Sequence, residues 1–190
     1  MRNAEHSRTT KETQINVKLN LDGSGATHVS TGIAFFDHLM RTLGVHSRID
    51  LVIDGKGDLR HHIIEDVGIT LGETFRKALG DSRGIQRFGY AMIPMDDALA
   101  LAAVDLATRP YAKIDLKIVG DAIEDTGSED ILHFLESFAL SLRANIHIVV
   151  EYGSNDHHKV ESAFKALALS LRQAVTSTGS SEIPSAKGTL

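Results

Sequence analysis

Apolar positions recur at helical spacing in two long segments of this 190-residue chain. Ile64, Val67, Leu71, Phe75 and Ala78 form one stripe; Val160, Ala163, Leu167, Leu171 and Ala174 form its twin. Shorter periodic runs place Phe36, Met40 and Leu43 on one face, and Ile131, Leu135, Phe138 and Leu142 on another. Helices are therefore predicted at about 33–44, 61–80, 128–144 and 157–177. Strand-like alternation marks 13–21, 86–93, 98–106 and 111–119. Val/Ile-rich runs at 47–54 and 145–152 end in turn residues, Asp54-Gly55 and Gly153-Ser154-Asn155.

The two long stripes belong to a repeat. At an offset of 96, residues 61–79 match 157–175 in His61/His157, His62/His158, Glu65/Glu161, Leu71/Leu167, Arg76/Arg172 and Ala78/Ala174. His38 and His133 pair at 95, and Ile15–Leu19 resembles Ile114–Ile118 at 99. A period near 95 residues is too long for a solenoid and points to a duplicated half-domain. Each half reads as strand–strand–helix–strand–helix, with an additional strand in the second. The predicted fold is an α/β (α+β) sandwich of two ββαβα halves, 1–85 and 86–178, followed by a tail at 179–190.

The repeat carries chemistry. On a helix, His61 and Glu65 stack one turn apart and can grip one ion, as can His157 and Glu161. His62 and His158 point about 100° away and must serve something else. His38 and His133 lie roughly opposite the inward side of their own helices. Metal sites built from these residues would then be completed by the other half or by a neighbouring chain, which predicts an oligomer with interfacial sites. The metalloprotease order His-Glu-x-x-His is absent.

Composition narrows the metal and the partners. The chain has no cysteine and no tryptophan. Disulfides, thiolate nucleophiles and Cys-rich zinc sites are excluded, and any metal is held by nitrogen and oxygen alone, a shell that suits Mn²⁺ and its neighbours. A net charge of −5 supplies no basic patch for nucleic acid. No apolar run approaches the roughly 20 residues that span a membrane, and the N-terminus has no apolar signal core, so a cytoplasmic location is expected. Surface positions account for His6, His28 and His147; His46 follows the first helix, where a surface reading outweighs the alternative that it reaches a site. Asp96-Asp97 reads as a turn after Pro94. Arg83, Arg87 and Arg109 read as scattered surface cations. From Thr176 the composition favours disorder, although Ile183–Gly188 sets a hydroxyl and an ammonium beside a proline, a pairing able to clamp phosphate.

Taken together, the ordered blocks resemble the imidazoleglycerol-phosphate dehydratase family of histidine biosynthesis. They are Thr10–Thr13, Thr31–His38, Gly57–Leu59, both His-His-x-x-Glu helices, Arg83–Gly89, Asp105–Pro110 and Pro184–Gly188. The resemblance implies helices packed between two mixed four-stranded sheets, a homo-oligomer of 24 subunits, and two Mn²⁺ in each intersubunit active site. It implies His38, His61, His62, Glu65, His133, His157, His158 and Glu161 as metal ligands. Glu12, Arg87, Arg109, Ser185 and Lys187 become substrate contacts, which reverses the compositional reading of the tail. The implied reaction eliminates water from imidazole glycerol phosphate through an imidazolate and a diazafulvene-like intermediate, giving imidazole acetol phosphate. Glu12, Glu65 and Glu161 are the acid–base candidates. Three blocks depart from the family pattern: Leu59-Arg60 replaces an acidic pair in a shortened loop before His61, and Asp96-Asp97-Ala98-Leu99 and Ala107-Thr108-Arg109-Pro110 are variants of their motifs. The shortened loop puts contacts behind the ligands, and hence metal affinity, in question. Without the resemblance, a non-catalytic His-rich metal store and a two-metal phosphatase or amidohydrolase remain open. The store has no use for a phosphate grip, and the hydrolases lean on bridging carboxylates.

Overall fold

The computed structural model describes residues 2–189. The first half runs β1 (Asn3–Thr9), β2 (Thr13–Asn20), β3 (Thr27–Ser30), α1 (Ala34–Ser47), β4 (Asp50–Gly57) and α2 (Arg60–Leu79). The second runs β5 (Phe88–Met95), β6 (Ala98–Asp105), β7 (Tyr111–Asp115), a small hairpin of β8 (Ala122–Ile123) and β9 (Thr126–Gly127), α3 (Ser128–Leu142), β10 (Asn145–Tyr152) and α4 (Asp156–Val175). The sheets are ordered β1-β2-β4-β3 and β5-β6-β10-β7, each with two antiparallel pairings and one parallel pairing. Helices fill the space between them: α2 packs on β1 and β2, α4 on β5 and β6, α2 against α3, and α1 against α4.

The duplication is therefore real and mixed-sheeted, as expected, but each half opens with three strands. β1 escaped the periodicity because Asn-Ala-Glu-His-Ser-Arg-Thr has no apolar face; it is an edge strand. β3 is short, with Val29 its one buried residue. β4 starts three residues later than expected, because 47–49 finishes α1 and its left-handed C-cap Arg48. Asp54-Gly55 is not a turn: both residues pair with β2, opposite Asn16 and Ile15. β7 stops at Asp115, and the expected strand to 119 ends in a loop where Lys117 has φ +50°.

Strand register also corrects one repeat alignment. Leu19 pairs with Leu51, and Val104 pairs with Ile146; Leu51 and Ile146 are equivalent (146 − 51 = 95). The counterpart of Leu19 is thus Val104, at an offset of 85, and Ile15–Leu19 does not correspond to Ile114–Ile118. Val29 and Ile114 pair with equivalent Ile53 and Ile148, again at 85, whereas the helices that follow are offset by 95. Ten extra residues therefore sit between β7 and α3, and they contain the β8–β9 hairpin.

Phe36, Phe134, Phe138 and Phe164 are fully buried between the sheets, with Phe36 edge-on to Phe134 at 5.2 Å. Burial of each such ring is worth about 1.5–3 kcal/mol. Gly68 and Gly72 bring α2 close to α3: a Cβ at Gly68 would lie 2.9 Å from the Phe134 carbonyl, and one at Gly72 would lie 2.7 Å from the Leu142 nitrogen. That close approach sets Glu65, one turn before Gly68 on α2, within reach of His133 on α3. Among the described residues no helix is long and apolar enough to cross a membrane.

Candidate metal centres and phosphate cavity

Six of the eight proposed ligands gather into two triads, and each triad draws on both halves. His61 and Glu65 from α2 meet His133 from α3; His157 and Glu161 from α4 meet His38 from α1. The i, i+4 pair of one half is thus completed by the lone histidine of the other, the first of the two alternatives left open by the sequence. His133 Nε2 lies 3.3 Å from Glu65 Oε1. In the second triad, Glu161 Oε2 is 3.4 Å from His38 Nε2 and 3.3 Å from His157 Nε2.

These separations fit a shared cation. Two donors on one ion, at metal–ligand distances of roughly 2.0–2.2 Å, lie roughly 3.0–3.5 Å apart. His38 Nε2 is buried and makes no hydrogen bond of acceptable geometry, even with Glu161 facing it. A buried ring nitrogen without a hydrogen-bond partner is costly unless something else satisfies it. The imidazole–carboxylate donor set suits Mn²⁺, Zn²⁺ and related ions.

Behind the triads stand carboxylates. His61 Nδ1 is 2.7 Å from Asp130 Oδ1, and His157 Nδ1 is 3.3 Å from Glu124 Oε1. An Nδ1–H donated to a carboxylate leaves Nε2 with its lone pair for a cation. Glu161 is held on its other oxygen by Lys165 Nζ at 2.8 Å. Burial raises the Glu161 pKa, while the bond from Lys165 and the facing His38 ring lower it; the net result is a carboxyl below its usual range.

His62 and His158 stand outside both triads. His62 Nδ1 bonds Asp58 Oδ1 at 2.8 Å, with Glu12 Oε2 3.9 Å away. The Asp58 bond is the main reason the His62 pKa is raised, with burial opposing it. His158 Nδ1 bonds Asp97 Oδ1 at 2.5 Å. Asp97 sits in the β5–β6 turn, as its sequence suggested, yet it also accepts from the Ser154 and Asn155 backbone N–H groups. It thereby fixes the start of α4, where Asn155 caps His157 N and His158 N.

The tail is ordered along the body of the protein. Thr178 N and Gly84 O bond at 2.8 Å, and Gly84 N bonds Glu182 O at 2.9 Å. The compositional expectation of disorder missed these bonds because they are made by backbone, not by apolar side chains. Arg87, Arg109, Ser185 and Lys187 line one cavity of about 380 Å³. Within it, Arg87 is already engaged: it bonds both oxygens of Asp105 at 2.7 and 3.1 Å and the Pro184 carbonyl at 2.9 Å. Two of its five N–H groups stay available. Arg109, by contrast, is exposed.

Histidines without an assigned role have ordinary partners. His6 bonds Glu73 at 2.8 Å, His28 is 3.9 Å from Asp54, and His147 packs on Tyr111. His46 is half-buried, and burial followed by nearby Lys165 lowers its pKa.

Known proteins share this sequence and fold. The family model for imidazoleglycerol-phosphate dehydratase matches residues 31–171. An imidazoleglycerol-phosphate dehydratase from Methanothermobacter thermautotrophicus is 49% identical over all of this chain and 98% of its own length. A relative of that name from Phytophthora nicotianae is also 49% identical over the whole chain, which spans 43% of that longer protein. Among solved structures, the Pyrococcus furiosus enzyme superposes with a TM-score of 0.86 at 40% identity, covering 97% of this chain and 100% of that one. The enzyme from Staphylococcus aureus gives 0.85 at 31% identity, covering 93% and 99%. With the family model and the full-length relatives agreeing, the chain belongs to the imidazoleglycerol-phosphate dehydratase family of hydro-lyases.

Proposed function

We propose that this protein is a dehydratase acting on imidazole glycerol phosphate, in active sites that hold two Mn²⁺ and form between copies of the chain. The observation that carries the intersubunit reading is a separation. Arg87 N bonds Ala174 O at the C-terminal end of α4, whereas Glu161 sits near its start. Thirteen residues of helix rise roughly 20 Å, more than a small imidazole phosphate spans. On that separation the phosphate cavity and the Glu161 centre of one chain do not serve one substrate molecule. A second copy must bring its cavity to the first copy's triads.

Exposed apolar side chains on one outer sheet support assembly. The outward residues of β5, Phe88, Tyr90 and Met92, are 53%, 72% and 54% exposed. The equivalent edge strand β1 shows Asn3, Glu5 and Ser7 instead. An apolar outer sheet face on one half alone marks an interface. The 24-subunit particle is our reading of its extent.

His38, His157 and Glu161 would hold one ion and His61, Glu65 and His133 the other, with His62 and His158 completing the shells of neighbouring copies. Bound there, a divalent cation supplies a Lewis acid that eases ionisation of the substrate's imidazole ring. The chain's own residues do the rest. Arg109, Ser185 and Lys187 bind the phosphate, with Arg87 holding the tail to the cavity wall. Glu12 and the two triad carboxylates, Glu65 and Glu161, are the candidates for proton transfer; Glu12 stands beside His62, free of the triads.

A metal store would need the triads and not the phosphate cavity. Incubating manganese-loaded protein with imidazole glycerol phosphate tests the proposal. We expect imidazole acetol phosphate to accumulate with turnover. Metal bound at two equivalents per chain without product would favour the store.

A further inference from the structure

We infer that Asp130 is a positioning residue for the His61/Glu65/His133 centre, and that the ten-residue insertion supplies Glu124 as a weaker substitute at the other. The inference rests on the metal-centre reading above. Asp130 lies in the first turn of α3, and its carboxylate reaches across to His61 on α2 at 2.7 Å. The approach is tight: a Cβ on Gly127, the residue before α3, would lie 2.9 Å from Asp130 Oδ2. Leu59-Arg60 directly precedes His61, and the nearest acid of that loop, Asp58, is bonded to His62 at 2.8 Å. The orienting carboxylate therefore comes from the other half.

The duplication does not preserve this device. At the offset of 95 that relates α1 to α3, the counterpart of Asp130 is Phe35. Its ring packs 4.8 Å from His157, the counterpart of His61, and cannot accept a proton or a hydrogen bond at Nδ1. His157 turns instead to Glu124, in the turn of the β8–β9 hairpin, which has no equivalent in the first half. That contact is longer, at 3.3 Å, and the Glu124 side chain is 62% exposed against 19% for Asp130. The same hairpin is anchored where it matters: Asp125 caps Ala34 N and Phe35 N at the start of α1 at 2.7 and 2.9 Å, and its carbonyl accepts from Arg60 at 2.6 Å. One centre thus has an orienting carboxylate on a rigid helix, and the other has one on an anchored surface turn.

A ligand histidine whose ring is oriented by a carboxylate binds metal more tightly, and removing that partner commonly costs 10–100-fold. The test measures Mn²⁺ affinity by calorimetry on the full chain, stripped with chelator, for wild type, Asp130→Asn, Glu124→Gln and Glu129→Gln. Glu129 is the control: it is exposed, shares the first turn of α3, and carries the same charge into the helix dipole. We expect Asp130→Asn to weaken one of two sites about 10–100-fold, Glu124→Gln to weaken the other less, and Glu129→Gln to match wild type. Asp130→Asn at wild-type affinity, or no weaker than Glu129→Gln, would overturn the inference. Wild type that binds no Mn²⁺ at all would instead remove the metal-centre reading itself.

Discussion

Glu161 divides its two oxygens between Lys165, at 2.8 Å, and the facing nitrogens of His38 and His157, at 3.4 and 3.3 Å. One carboxylate is therefore both a structural counter-charge and a candidate ligand. Its side chain is 11% exposed and that of Lys165 is 18% exposed. Glu161→Gln should lose the metal of this triad and keep the other, so elemental analysis would fall from two equivalents per chain to one. It should also leave a mostly buried ammonium without its charge partner, a loss on the order of 1–3 kcal/mol readable by denaturant titration. Two retained equivalents would remove Glu161 from the ligand set.

Asp97 gives a pH signature. Its hydrogen bond with the His158 ring, followed by bonds from the Ser154 and Asn155 N–H groups, holds its carboxyl far below the ordinary value of 3.8. A depressed carboxylate adds stability that is complete above the unfolded pKa and drains away as pH falls toward the folded one. Asp97→Asn should therefore melt below wild type near neutral pH, with the gap closing from about pH 4 downward. A gap independent of pH would show that its charge contributes nothing.

The parts legible in the sequence are those encoded by local periodicity. The stripe from Ile64 to Ala78 and the His61–Glu65 spacing both follow from 3.6 residues per turn, and both stand in the fold. What escaped reading depends on distant partners. β1 is held by the register Asn3–Asn20 to Thr9–Gln14 and by no apolar pattern of its own. The insertion before α3 could not be located from alternation, since any half-buried strand resembles any other; register alone separates Val104 from Ile114 as the counterpart of neighbouring β2 and β3 residues. Asp130 and Glu124 carry no motif, and Asp97, within the variant Asp96-Asp97-Ala98-Leu99 block, reads from the residues as a turn. Their one hint was an acidic residue in a turn or first helical turn, where acids are common in any case.

His158 separates assembly from metal capture. Its Nδ1 is committed to Asp97, it belongs to neither triad, and its neighbour His157 faces inward to Glu161. If it completes the metal shell of another copy, His158→Ala should still bind metal at both triads, with affinity reduced about 10-fold or more, yet fail to form the proposed assembly when Mn²⁺ is added. Light scattering with and without Mn²⁺ checks this. A His158→Ala protein that assembles as wild type does would place the histidine outside the interface.

The tail and Glu12 make opposite kinetic predictions. Lys187 and Ser185 line the cavity with Arg109 and would touch only the phosphate, which does not change during the elimination. Binding that is equal in ground and transition states lowers KM without raising kcat. Lys187→Ala should therefore raise KM about 10-fold or more, the scale of a lost charge-assisted bond, with kcat little altered. Glu12 is exposed and its carboxylate lies 3.9 Å from His62. Acting only while a proton moves, it should show the reverse: Glu12→Gln keeps KM, metal content and assembly and lowers kcat at least about 100-fold. Steady-state kinetics on the two variants separates the roles. Equal losses in kcat from both would mean that phosphate binding, not proton transfer, aligns the reacting carbon, and would take Glu12 out of the chemistry.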